Sequence, residues 1–301
     1  MIPDSSSVPS CHPYTLEPGQ RIRNELDELG IDPDGLQDTN VLLLNKIDGM
    51  RYEDDKGTLV FIDYINEHFG SESQVNVLDV GSGFAGPARL LAFKRPTTNV
   101  TALEFVSEIS TMAQSLTQRC PEVKDKIQHK IGHVEKLSEI LVPDHKFHAA
   151  QGVLAFCHVS NLEVALTQVH SRLEEDGMLY IEDFWASQEL SQDQQQCLST
   201  IVGCVRMPPS NVAWCDLLSK VGFATVEFED VTKSWQAWVQ KRSQFYTDTM
   251  ERHVRVHGEQ GARHMLDFYS SVDKLFASGN LKGCRILAKK VVGDVNLSNA
   301  S

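Results

Sequence analysis

The rhythm of apolar positions changes twice along the chain. Residues 21–29 carry apolar residues at helical spacing, with Gly30 closing the pattern, and residues 31–40, rich in Asp, Pro and Gly, read as a loop. A helix is predicted over Lys56–Phe69, where Leu59, Phe61, Ile62 and Ile65 share a face and Gly70 is the stop. Beyond Gly70, short apolar runs at Val75–Val80, 99–103, Ile127–Ile131, Phe147–Val153 and 178–181 are separated by helical patterns at 87–93, Ser107–Gln118 and 162–173. Parallel strands are covered on both faces and read as continuous apolar runs, so the alternation predicts a parallel sheet of βαβ units. The last third departs from it, with a helix at 213–221, an alternating strand at 223–231, a long helical stretch at 234–278 and a final strand at 284–292. Residues 1–19, mixing Pro and Ser with polar residues, are expected to form a flexible arm, and the tail after Gly293 is expected to fray.

Composition narrows the class. Of 301 residues 41% are hydrophobic and 23% charged, enough to build a sizeable core. The formal charge is −13, which speaks against a nucleic-acid partner, whose phosphates reward a basic footprint, and against anionic lipid. Seven cysteines are an odd number, with no C-x-x-C pair and no histidine pair beside them at zinc-ligand spacing. Reduced thiols, a cytoplasmic location and no metal are expected. No basic-then-apolar leader opens the chain, and no apolar run nears the ~18 residues that span a bilayer.

The strongest signal is Val77-Leu78-Asp79-Val80-Gly81-Ser82-Gly83-Phe84-Ala85-Gly86, a strand entering a glycine turn and then a helix. In G-x-G-x-x-G the first glycine permits the tight turn, the second admits a ligand to the backbone, and the third lets helix pack on strand. Glu104, at the end of the next strand, is positioned to accept hydrogen bonds from ribose hydroxyls. A dinucleotide presents a pyrophosphate to such a turn. Asp79, two residues before the first glycine, would repel that anion and suits a ligand carrying an ammonium and a sulfonium.

These residues resemble the nucleotide loop of class I S-adenosylmethionine-dependent methyltransferases. Weaker likenesses extend past Asp48: Gly86-Pro87-Ala88-Arg89, Leu116-Thr117 with Arg119, His158, Ile181-Glu182-Asp183-Phe184, Val221-Gly222-Phe223 and Glu229-Asp230-Val231-Thr232 are similar to small-molecule methyltransferases of the sarcosine/dimethylglycine and phosphoethanolamine kind. The resemblance implies an α/β, Rossmann-like seven-stranded sheet, mostly parallel with an antiparallel last strand, helices on both faces and a helical cap. It implies one methyltransferase domain over residues 20–293, with lid helices at 20–70 and cap insertions near 185–220 and 233–281. The cofactor implied is S-adenosyl-L-methionine, with Asp79, Gly81, Ser82 and Gly83 about its methionyl part, Glu104 and Phe105 at the ribose, and Gln151 nearby. Where such enzymes follow the third strand with Gly-Asp, this chain has Gly132-His133-Val134, making His133 and Val134 the neighbours of the adenine.

Acceptor groups belong at the carboxyl ends of the strands. Phe156 and His158 follow the fourth, and Glu182, Asp183 and Phe184 end the fifth, followed by Trp185. His158 is either a general base or a histidine satisfied by backbone. Strand alternation turns only one of Glu182 and Asp183 inward; Asp183 is the choice here, with Glu182 left to bulk water. Trp185, Trp214, Trp235, Trp238, Phe245 and Tyr246 either cage a methylated ammonium or anchor the helical cap. Asp48, Met50 and Tyr52 belong to a lid segment in similar enzymes, or to an ordinary surface loop. The expected activity is methyl transfer to a small molecule, at an amine nitrogen. A nicotinamide-dependent oxidoreductase and a non-catalytic cofactor-binding partner are the alternatives, and no feature sets an oligomeric state.

Overall fold

A computed structural model describes residues 19–35, 37–47 and 51–291. The N-terminal arm, Asp48, Met50 and the C-terminal tail lie outside the described residues.

Three helices precede the sheet: α1 (Gln20–Glu28), α2 (Val41–Ile47) and α3 (Lys56–Phe69). There follow β1 (Val75–Val80), α4 (Gly86–Lys94), β2 (Thr98–Glu104), α5 (Ser107–Gln118), β3 (Ile127–Ile131), the single turn α6 (Leu137–Ile140) and β4 (Phe147–Val153). The second half holds α7 (Leu162–Arg172), β5 (Leu173–Ala186), α8 (Gln192–Cys197), α9 (Asn211–Lys220), β6 (Phe223–Asp230), α10 (Thr232–Asp248), α11 (Met250–Ala277) and β7 (Leu281–Lys290). No helix among the described residues is long and apolar enough to cross a membrane.

The seven strands are ordered β3-β2-β1-β4-β5-β7-β6. β1 to β5 pair in parallel, and β7 runs antiparallel to both β5 and β6, so it alone is reversed. The expected fold class holds. Alternation divides the core between two faces: Val77, Ala102, Ala149 and Tyr180 pack under α3, α4 and α5, whereas Leu78, Leu103, Ala150 and Ile181 pack under α7 and α9. Each fully buried Leu, Ile or Phe contributes ~1.5–3 kcal/mol. A third cluster forms at the carboxyl ends of β4 and β5, where Tyr52, Cys157 and Phe184 meet α10 and α11. The strand order reverses between β1 and β4, where open α/β sheets leave a crevice for ligands.

The structure corrects several boundaries. β5 is much longer than residues 178–181, because pairing with β7 continues through Glu182 and Asp183 to Ala186. The stretch at 234–278 is two helices, and α11 is itself broken at Gly258, where φ is +73°. α2 was not foreseen; seven residues are too few to display a periodicity.

Candidate active site

Gly81 and Gly83 carry the turn after β1 at φ +63° and +53°, the left-handed region that side chains disfavour. A Cβ on Gly81 would lie 2.6 Å from that of Ala155, while one on Gly83 would meet nothing within 4 Å. The first glycine thus serves packing, and the second opens the backbone to a ligand. The amide of Ser82 donates to the carbonyl of Leu103, tying the turn to β2.

Asp79 faces Gln151 across the β1–β4 register, and Gln151 Nε2 donates to its Oδ1 at 3.0 Å. Asp79 Oδ2, Gln151 Oε1 and Ser82 Oγ are buried without hydrogen-bond partners. Burial pushes the Asp79 carboxyl up to about 7, Gln151's hydrogen bond opposing and the Glu104 charge adding to the rise. Three unanswered polar atoms around an open glycine turn fit a cationic, donor-bearing group. At the end of β2, Glu104 accepts amide hydrogens from Gly83 and Val106, both at 2.9 Å. A carboxylate offers about four lone-pair positions, so the Glu104 carboxylate keeps acceptor capacity beyond these amides. Beyond it the exposed rings of Phe105 and His133 lie 4.9 Å apart, and Val134 is buried below them.

In the last part of β5, Asp183 is fully buried on the face opposite Asp79. Its Oδ2 accepts from the Cys157 amide at 3.0 Å and its Oδ1 from the Phe184 amide at 2.8 Å. Burial pushes its carboxyl up to about 6, with those amides opposing. The 3₁₀ turn Phe156–His158 rests on it. His158 Nδ1 lies 2.9 Å from the Gly203 carbonyl, which assigns the proton to Nδ1 and the lone pair to Nε2. Burial lowers the pKa of this imidazole, the Gly203 bond opposing.

Glu182 does not reach bulk water. It is buried against Gly57 of α3 and paired with Arg285 at 2.7 Å, while Arg285 also holds Glu229 at 2.7 Å, the Tyr180 hydroxyl at 2.9 Å and Glu53 at 3.7 Å. Tyr52 lies among Trp235, Trp238, Phe184 and Phe276, with centroids 4.9–6.2 Å away, and its buried hydroxyl has no hydrogen-bond partner. Asp183, Cys157 and Cys204 are close enough to add to the burial that raises the Tyr52 pKa. Phe156 does not join this group; it is fully buried against Gly152 in the core. Trp185 packs on Phe228, 6.3 Å away. Trp214 is a core anchor whose indole donates to the Phe184 carbonyl.

A family model described as a methyltransferase domain matches residues 51–228, more than half of the chain. The chain belongs to this methyltransferase family. S-adenosylmethionine is the cofactor of the class, and the match favours a methyl donor over a nicotinamide at the glycine turn. No curated protein matches the chain in sequence. Among solved structures it is similar to a putative sarcosine dimethylglycine methyltransferase from Galdieria sulphuraria, at 15% identity and TM-score 0.68, covering 85% of this chain and 91% of that one. It is also similar to phosphoethanolamine N-methyltransferase 2 of Haemonchus contortus in complex with phosphomonomethylethanolamine and S-adenosylhomocysteine, at 13% identity and TM-score 0.72. That likeness covers 89% of this chain but 59% of the other. A cyclopropane synthase of Mycobacterium tuberculosis is similar over 96% of this chain and 99% of its own, at 13% identity and TM-score 0.69. At these identities the likeness is one of fold.

For this methyltransferase, sequence reading missed Arg285 and Arg242. Arg285 joins three carboxylates from separate segments, a convergence no local pattern encodes. Arg242 sits over the rings of Trp238, Phe245, Tyr246 and Tyr269 at 5.6–5.8 Å. Its spacing of four from Trp238 and from Tyr246 was the available signal.

Proposed function

We propose that this methyltransferase transfers a methyl group from S-adenosylmethionine to an amine nitrogen of a small molecule. The observation that carries the reading is the Tyr52 aromatic nest beside Asp183, a set of π faces and a carboxylate suited to an ammonium. Asp79 and Gln151 would hold the amino-acid end of the cofactor, Glu104 the ribose, and Phe105 and His133 the base, with Gly81, Ser82, Gly83 and Val134 shaping the pocket. When bound, the cofactor supplies a sulfonium-borne methyl to a nucleophile aligned behind it, the sulfur leaving as a neutral thioether. The chain's own work is alignment and proton handling. Asp183, ionised above pH ~6, attracts the substrate cation, and Tyr52 orients it through the unpartnered hydroxyl. A proton must leave the ammonium before its lone pair attacks, and His158 Nε2, one residue beyond the amide that Asp183 holds, is the acceptor. Trp185 bounds the site at the end of β5. The helices before β1 serve as a lid, α8 to α11 as a cap, within one domain; the acceptor is a small molecule rather than a nucleic acid or membrane, and the setting is cytoplasmic.

The test incubates the protein with methyl-labelled S-adenosylmethionine and a metabolite extract, then identifies the labelled product by mass spectrometry. Label on the nitrogen of a small amine is expected. Label in a lipid fraction, or on carbon, oxygen or sulfur, would overturn the amine assignment. Thermal stabilisation by NAD but not by S-adenosylhomocysteine would overturn the cofactor.

A further inference from the structure

Apart from the residues of the glycine turn, the face between α1 and α11 holds a second cluster of chemically competent side chains. Among the described residues it is the one group of histidine, cysteine and acidic side chains whose ligand atoms converge: one atom each of Glu25, His253 and His257 lies within 4.8 Å of the other two. His253 and His257 are one helical turn apart on α11, the i, i+4 spacing that sets two imidazoles on one face for a metal. Their rings are nearly parallel, 15° between planes and 5.9 Å between centroids. Glu25 comes from α1, and its Oε1 lies 2.9 Å from His257 Nε2.

Ion pairing explains part of this arrangement. Arg252 contacts both oxygens of Glu25, at 2.7 and 3.1 Å, and Arg255 is matched in the same way by Glu28. It does not explain His253. That side chain is only 3% exposed, and neither ring nitrogen has a hydrogen-bond partner. Leaving such groups dry and unpaired is destabilising. The Tyr246 ring, 4.3 Å away at 30°, fixes the plane of the imidazole. His257 Nδ1 is likewise buried and unpartnered.

We propose that Glu25, His253 and His257 bind one divalent transition-metal ion, zinc being the best fit, which clasps α1 onto α11. Two imidazole nitrogens and one carboxylate oxygen suit zinc, cobalt or nickel rather than magnesium or calcium. Bonds of about 2.0–2.1 Å in a tetrahedron set ligand atoms about 3.3 Å apart. Glu25 and His257, 2.9 Å apart, need to part by a few tenths of an ångström, and His253 offers a ring nitrogen within 4.8 Å of both. The metal takes Glu25 Oε1 in place of its contacts with Arg252 Nη1 and His257 Nε2, and Oε2 stays with Arg252 Nη2. Three protein ligands leave the fourth position to water. The expectation of no metal looked for histidines near the cysteines; this pair stands apart from them and gains its third ligand only through the fold.

The test titrates zinc chloride into chelator-stripped full-length protein by calorimetry, with cobalt(II) absorption in parallel. One equivalent per chain is expected, with visible ligand-field bands and no thiolate charge-transfer band. His253→Gln and His257→Gln should each weaken zinc binding by more than about 100-fold, beyond the loss typical of a second-sphere partner. Far-UV circular dichroism checks that each variant is folded, and Glu25→Gln stands in for any that is not. Zinc should also slow amide hydrogen exchange across residues 20–28 of the parent protein. Absence of stoichiometric binding, undiminished binding in the variants, or a thiolate charge-transfer band would overturn the site. Binding without protection of residues 20–28 would overturn the clasp.

Discussion

Replacing Asp79 by Asn should make the cofactor-free protein more stable and its cofactor site weaker, with a gain that depends on pH. The Asp79 carboxyl is 2% exposed and titrates near 7, against 3.8 for an unperturbed aspartate. Because the folded-state value is the raised one, the folded protein binds the proton more tightly than the unfolded chain does. The associated stability is fully present below pH ~4 and is lost as pH rises through about 7. At 1.36 kcal/mol per pH unit over the ~3 units between the two values, the loss is about 4 kcal/mol, and solvent screening is slight at so buried a group. Asn keeps an oxygen for Gln151 and has no charge to bury, so its stability lacks this dependence. Urea denaturation of both proteins at pH 4.5 and pH 8.5 reads the difference. The variant should gain on the parent by several kcal/mol between the two. S-adenosylhomocysteine should stabilise the parent far more than the variant, because its ammonium compensates the charge. Parallel stability profiles would show that Asp79 is not held as a strained anion, and the electrostatic reading of the pocket would fail with them.

Other substitutions probe separate parts. Glu104→Gln retains at most one acceptor for the Gly83 and Val106 amides, so a loss of ~1–3 kcal/mol in denaturation is expected alongside at least tenfold weaker cofactor binding by calorimetry. Arg285→Met strands the buried Glu182 carboxylate and should cost ~3–5 kcal/mol; adding Glu182→Gln should recover part of it, which a double-mutant cycle measures. Gly57→Ala would push a methyl to within 2.2 Å of Glu182 Oε2, and a fall of ~1–3 kcal/mol is expected by thermal unfolding. His158→Gln should lower kcat by ~10²–10⁴ with cofactor affinity unchanged, as stopped-time assays with the identified acceptor would report.

The features readable along the chain are those encoded locally. The glycine turn, Asp79 and Glu104 are fixed by neighbours within a strand and its loop. The boundaries Lys56–Phe69, Ser107–Gln118 and Ile127–Ile131 follow from periodicity and stop residues. What escaped was set at a distance. Asp183 and Glu182 are adjacent in sequence, yet one anchors the turn after β4 and the other is held by Arg285, 103 residues on. Alternation says that they part company but not what each meets. Phe156 looked like a pocket residue from its place after β4, and only packing against Gly152 shows that it points into the core. The start of β5 at Leu173 was hidden because Glu174, Glu175, Asp176 and Gly177 separate it from the apolar run.

The uneven sharing of Arg285 bears on how this protein could open. Tyr52 is sealed by aromatic rings, and if a substrate is to reach Asp183 the turn that carries Tyr52 and Glu53 has to lift. Of the three carboxylates around the guanidinium, Glu182 and Glu229 sit at 2.7 Å and Glu53 at 3.7 Å. Departure of the turn therefore breaks the longest contact and leaves the buried cation neutralised by the two that stay with the sheet. Such an opening would give up only the longest of the three contacts: a latch whose catch is the moving part, and whose strike plate keeps its partners when the door is ajar.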